Sequence, residues 1–312
     1  MSVVLVVLGL AFLALPGALA GGGAGLGPAD WCRQVSLCLR VGRVALLAGL
    51  AMLAAPAALY SLGARHVAHA CHDSFHAGMP IPWVAGWLAA LVLAHSTWRS
   101  WRAWRRDAAA IEHLRVPGWL GTHDRSAGVD VVRLPADEVV AYAVPGRPDQ
   151  VVLSERLAEA LGADELEAVV RHERAHLRHR HHDVLRLAAD LDARFGGLDP
   201  VRRSTAALRL AVERWADEDA AAGPAGRAAV RRALAGTVAM ALEPAAGFTA
   251  PCTLAARLQA LDTPPPRPSL ARRVLVSVPA LVLAGAATAV VTAGSVNPHH
   301  ATVGLLALCP FG

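Results

Sequence analysis

Apolar residues fall in long blocks along the 312-residue chain rather than at an even density. Four blocks are long enough, or nearly so, to cross a bilayer, at about residues 2–20, 44–62, 81–97 and 274–294. Pro and Gly inside them are compatible with membrane helices, because neighbouring helices re-satisfy the freed backbone groups. The third block is the shortest, and the tail "ATVGLLALCPFG" is too short to cross. The first block ends in "ALPGALA" ahead of "GGG", a small-residue pattern of the kind removed with a signal peptide. No Lys or Arg precedes Arg33, however, so the basic start of a signal peptide is missing and the block is expected to remain as a helix. The chain therefore reads as three transmembrane helices within 1–98, a polar domain over 99–273, a fourth helix over 274–294 and a short tail over 295–312.

Within the polar part the periodicity changes. "VVRLPADEVVAYAVPGRPDQVVLSERLAEAL" reads as strand, strand, turn, strand, helix, with Val139, Val140, Tyr142 and Val144 as strand formers and "PGRPD" as the turn. Residues 164–182 read as a helix capped by Asp164, with Glu167 three positions on. Residues 204–221 read as another, stopped by Gly223 and Pro224. "LDTPPPRPSLARR" is a Pro-rich linker into the last apolar block.

Charge adds an orientation. Arg33, Arg40 and Arg43 follow the first block, only Arg65 follows the second, "RSWRAWRRD" follows the third, and Arg267, Arg272 and Arg273 precede the fourth. By the positive-inside rule the N-terminus and the tail lie outside and residues 99–273 lie in the cytoplasm. Trp98, Trp101 and Trp104 alternate with Arg and read as an interfacial belt. A net charge of +5, a pI near 9.4 and a mean hydropathy of +0.39 follow from this layout. No nucleic acid is needed as a partner; the lipid bilayer is. Five cysteines form no CxxC pair, which gives no zinc-ribbon framework. Cys71 and Cys309 would both face outside, where a disulfide is chemically allowed.

The chemistry concentrates in "RHERAH". His172 and His176 are four apart, which places both imidazoles on one helix face, one turn apart, with Glu173 beside them. Two histidines on one zinc ion and an adjacent carboxylate base are the parts of the HExxH arrangement. Downstream, "VERWADEDA" repeats the spacing with acids: Glu213 suits a third ligand and Asp217 a hydrogen-bond partner that fixes a ligand histidine's tautomer.

HExxH followed by ExxxD, in a domain between apolar helices, resembles the gluzincin membrane peptidases. The layout is similar to the M56 (BlaR-like) family of beta-lactam sensor-transducers, and the motif pair is shared with the related M48 family. The run from Ala143 to Asp183 resembles the strand–strand–helix core of these families. The resemblance implies an α-helical multi-pass membrane protein with a cytoplasmic, mainly α (α+β) zincin-type metallopeptidase domain and one Zn²⁺ per chain. His172, His176 and Glu213 would be ligands, Glu173 the base and Asp217 the partner behind a ligand. About 18 residues follow the fourth block, so beta-lactam sensing through an outer domain is not expected. In the M48 pattern a His-Pro segment precedes an Arg proposed to stabilise the oxyanion; here "APCTLAARL" offers Arg257, with Pro251 where the His would fall.

Hydrolysis of peptide bonds needs an oxyanion donor, and Arg257, Tyr142, His179 and His181 are all open as that donor. The strand around Val139–Val144 suits pairing with an extended protein or peptide substrate. Arg171, Arg174, Arg178 and His179 crowd the motif and exclude a cutting site inside hydrocarbon. His179, His181 and His182 are expected to form a solvated basic end. His66, His69, His72 and His76 form a second His-rich stretch, read as interfacial polar residues or a metal-sensing loop. A signalling role would make a transcriptional repressor a partner; the competing class is a non-catalytic zinc-binding membrane scaffold.

Overall fold

The structure, a computed structural model, describes residues 2–19, 26–76, 83–117, 119–126, 129–223, 226–241, 251–263 and 285. Two apolar helices come first, α1 (Ser2–Leu19) and α2 (Pro28–Ser61). They pack antiparallel at very close range. A methyl group added at Gly9 would sit 2.5 Å from the Leu46 backbone nitrogen, and Gly42 meets Phe12 as Gly49 meets Val6. Small residues at such a seam let two backbones approach. Among the described helices, α1 and α2 are the two long and apolar enough to cross a membrane.

Helix α2 corrects the expected layout. It begins at Pro28, so Arg33, Arg40 and Arg43 lie on the helix and not in a loop before residue 44. Pro28 opens the helix in its favoured first turn, and no residue before Pro56 breaks it. The end of the apolar block was the wrong guide to where the helix begins, because a helix tolerates Arg wherever its face meets solvent or a partner.

The His-rich stretch is also helical, as α3 (Arg65–His76). The third apolar block occupies the first half of α4 (Trp83–Leu114), which continues through the Trp–Arg belt without a break. The fourth block and the tail lie outside the described residues apart from Gly285, as does most of the Pro-rich linker.

A four-stranded sheet follows, in the order β1 (Thr122–Ser126), β2 (Val129–Leu134), β4 (Asp149–Ser154), β3 (Ala141–Val144). The strand–strand–turn–strand–helix expectation holds for β2, β3, β4 and α5 (Glu155–Ala160); polar β1 carries no apolar alternation and escaped it. β2 and β4 are parallel, and β3 pairs antiparallel to β4 at the sheet edge. Alternation gives the sheet two faces. Val131, Val151 and Leu153 face α6 (Ala163–Arg178) together with Ala141 and Ala143. Val132, Val152 and Tyr142 face the other way, against Val116.

After α6 come α7 (His181–Phe195), α8 (Asp199–Ala221), α9 (Gly226–Ala241) and α10 (Pro251–Asp262). The expected helix over 164–182 is thus two helices. Arg180 takes the left-handed conformation, with φ of 52°, and turns the chain between them. The start differs as well: Gly162 is the cap, and its N–H donates to the Glu165 carboxylate.

One core joins the apolar hairpin to the polar domain. Leu13 of α1 and Val35, Leu39 and Leu46 of α2 are buried with Leu187 and Leu191 of α7 and Leu208 and Val212 of α8. Each such side chain contributes about 1.5–3 kcal/mol on burial. The Gly17 N–H also donates to Ser204 Oγ on α8, at 2.8 Å. Helix α8 is therefore braced by the same residues that read as membrane-spanning.

Candidate metal centre

Helices α6 and α8 pack side by side, and each presents a pair of residues four apart to the other. Nε2 of His172 and Nε2 of His176 lie 3.1 Å apart. Glu213 Oε2 is 3.5 Å from the first and Glu213 Oε1 is 3.7 Å from the second. Ligands at 2.0–2.1 Å from a tetrahedral zinc ion are separated by about 3.3 Å. The three donors therefore fit one ion. Among the described residues they form the one group of three or more His, Cys, Asp or Glu side chains close enough to share a cation.

Asp217 fixes one ligand. Its Oδ1 is 3.1 Å from His172 Nδ1, so that nitrogen donates to the carboxylate and the Nε2 lone pair is left for a metal. Arg257 reaches in from α10 and grips Asp217 with two bonds of 2.8 Å, from Nε and Nη2. Its Nη1 lies 3.0 Å from Glu213 Oε2. The charges favour a cation at the centre. Burial opposes a charge on His172, but Asp217 and Glu213 outweigh it and push its pKa up to about 10. Burial also works against the Glu213 and Asp217 carboxylates, yet their bonds to His172 and the nearby Arg257 hold both below the usual range.

His176 is backed differently, and here the sequence reading needs correction. His181 is not part of a solvated end: it is fully buried, with Nδ1 3.2 Å from His176 Nδ1. The break at Arg180 folds it back. For His176 Nε2 to hold a metal, its Nδ1–H must donate to His181 Nδ1, which leaves the proton of His181 on Nε2. That nitrogen is buried with no hydrogen-bond partner among the described residues. Burial, reinforced by the neighbouring imidazoles, lowers His181 to about 3 and His176 to about 4, so both stay neutral. A spacing of five is off a continuous helix face, and nothing in the sequence marks the turn. His179 stacks on Trp215 at 4.4 Å and pairs with Asp219 at 3.1 Å. Trp215 also contacts His181 and lies under the Arg33 guanidinium of α2.

Glu173 lies half-buried beside the cluster. Burial raises its pKa, against the lowering effects of His172, Arg257 and the Ala143 N–H. That N–H comes from the edge strand. Ser154 N–H donates to Val140 O, so residues 140, 142 and 144 pair with β4 while Ala141 and Ala143 aim their backbone groups outward. Tyr142 is the second correction. It lies on the opposite face of the sheet, and its hydroxyl donates to Leu114 O at 3.1 Å. It does not enter the cluster. Arg257 does, but its nitrogens are engaged by Asp217 and Glu213, and His179 is engaged by Asp219.

His66, His69, His72 and His76 lie on α3. His72 stacks on Trp83 at 4.6 Å and His69 meets the same ring edge-on at 5.2 Å. No metal-sized group forms there among the described residues. Cys71 is a free thiol, and Cys309 lies outside the described residues.

The two helices thus bring His172, His176 and Glu213 together as a candidate metal centre. Residues 121–197 match the family model of Peptidase family M48, which supports a metallopeptidase function. The match runs from the start of the sheet through α7 and ends before Glu213, Asp217 and Arg257. No curated protein and no solved structure matches the chain.

Proposed function

We propose that this protein is a membrane-embedded, zinc-dependent endopeptidase of the HExxH…ExxxD gluzincin type. The observation that carries the reading is the convergence of His172, His176 and Glu213 at 3.1–3.7 Å beside half-buried Glu173. The family match to 121–197 supports it independently. His172, His176 and Glu213 would hold zinc, which when bound supplies Lewis acidity toward water and the scissile carbonyl.

The chain's own residues do the rest. Asp217 and His181 orient the two imidazoles from behind, and Arg257 locks Asp217. Glu173, with its raised pKa, takes a proton from water and returns it to the leaving amine. The outward backbone groups of Ala141 and the outward carbonyl of Ala143 pair with an extended substrate, which sets its backbone beside Glu173, where the Ala143 N–H already lies.

The substrate in this reading is a protein of the cytoplasm or the membrane. Its cleavage would serve regulatory signalling, with a transcriptional repressor as one such target, or quality control of membrane proteins. Helices α1 and α2 and the basic residues that flank the apolar blocks support a multi-pass cell-membrane location. The Arg distribution favours the peptidase domain in the cytoplasm and both termini outside. The layout supports an M56-like arrangement of this M48-type centre. The test compares purified wild type with Glu173→Ala for zinc content and casein cleavage. Equal zinc with cleavage by wild type alone upholds the proposal; casein cleaved equally by both proteins refutes it.

A further inference from the structure

Away from the metal centre, α2, α4 and α7 enclose a cleft of about 420 Å³. Four arginines line it: Arg40 and Arg43 on α2, and Arg186 and Arg194 on α7. Asp190, in its lining, is already satisfied. It accepts from Arg43 Nη1 at 3.1 Å, from Arg194 Nε at 2.9 Å and from Ser100 Oγ. Asp183 pairs with Arg180 at 2.8 Å, and Asp107 is exposed at the rim. Arg40 and Arg186 are exposed and have no carboxylate within ion-pair distance among the described residues. The cleft thus holds two guanidinium groups without a carboxylate partner beside Asp190, which two further arginines share.

Its place in the fold identifies the anion. Helices α2 and α4 run antiparallel, with Gly86 against Leu53 and Ala57 at one end and Arg43 and Ser100 on the same carboxylate at the other. The cleft therefore sits where the apolar half of each helix gives way to its polar half. Above it, Val84, Trp87, Leu88, Leu91 and Val92 form one exposed apolar stripe on α4. The stripe runs down into Trp98, Trp101 and Trp104, each at least half exposed, and Trp101 and Trp104 line the cleft. An apolar track ending in aromatic rings and arginines has the polarity of a phospholipid.

We propose that this cleft binds the anionic headgroup of a membrane phospholipid, with Arg40 and Arg186 on the phosphate and the acyl chains along the α4 stripe. This rests on the membrane reading given above. A headgroup there would brace α7, whose first residue, His181, backs the metal ligand His176.

The test uses the full chain in nonionic detergent and reads its melting temperature. Dioctanoyl phosphatidylglycerol, dioctanoyl phosphatidylcholine and inorganic phosphate are added separately. The expected result is a rise with phosphatidylglycerol at concentrations at least about tenfold below those that phosphatidylcholine requires. Arg40→Gln combined with Arg186→Gln should remove that preference; both positions are exposed, so the fold should tolerate the change. An equal response to both lipids, or a preference that survives the double substitution, overturns the proposal. A rise with inorganic phosphate alone, equal to that with the lipid, also overturns it and makes the ligand a free phosphate. Flotation of wild type and double variant with neutral phosphatidylcholine vesicles is the separate arm. Co-flotation of both upholds the membrane reading whatever the headgroup result, and failure of both removes the two together.

Discussion

Two stretches of this chain are rich in histidine, and the fold treats them in opposite ways. On α3, His72 stacks flat on Trp83, His69 meets that ring edge-on, and Tyr60 closes the group. On α6, His172 and His176 aim nitrogens at a common point and meet Glu213 there. The difference lies behind the rings and not in their number. Asp217 and His181 hold the Nδ1 atoms of the α6 pair, and burial keeps water from competing. On α3 the described residues form no group of three donors close enough to share a cation. Histidine density is a poor guide to a metal site; oriented, backed histidine is a good one.

The comparison breaks most sharply at Glu173. Glu173→Ala should lower kcat about 10²–10⁴-fold while zinc content stays near that of wild type, because a positioned base contributes that much and is not a ligand. Parallel loss of zinc would make it structural. The same carboxylate sets a pH dependence. Burial raises its pKa, and the base works only when deprotonated. Activity should therefore fall as pH drops through a value above the ordinary Glu value of about 4.3. A kcat/KM profile with its acid limb at or below that value would contradict the assignment.

The backing residues come next. Asp217→Asn keeps the shape, removes the charge behind His172 and leaves Arg257 buried without its carboxylate. Zinc affinity, measured by competition with a chelator, should weaken about 10–100-fold. His181→Gln removes a neutral partner and should cost about tenfold, at the low end of that range. If His181→Gln proves the more damaging of the two, the asymmetry between the two histidines is misread. The smallest effect is expected on α3, where His69→Gln with His72→Gln should leave zinc per chain unchanged. A lost equivalent of zinc there would erase the contrast between the two stretches.

Much of the centre was legible in the sequence, because residues i and i+4 share a helix face whatever the rest of the fold does. That rule brought His172 to His176 and Glu213 to Asp217. It did not reach His181, which depends on the left-handed turn at Arg180. Tyr142 shows the complementary limit: alternation along β3 separates it from Ala143, but only packing decides which face meets α6. Arg257 was visible as an arginine near the right place. Its role as a clamp on Asp217 arises from the approach of α10, which no local pattern encodes. Along α2, the apolar block from residue 44 hid a helix that begins sixteen residues earlier, at Pro28, because its first turns carry Arg33, Arg40 and Arg43. The shared core of α1, α2, α7 and α8 was hidden for the same reason that the apolar blocks were plain: composition shows that a helix is apolar, not what it packs against.

The central claim is that His172, His176 and Glu213 hold one zinc ion. X-ray absorption at the zinc edge on the purified full chain tests it most directly. The expected result is about one zinc per chain with nitrogen and oxygen ligands alone, at about 2.0–2.1 Å, and the multiple scattering of two imidazoles. A chain without zinc, or zinc with sulfur in its shell, would contradict it.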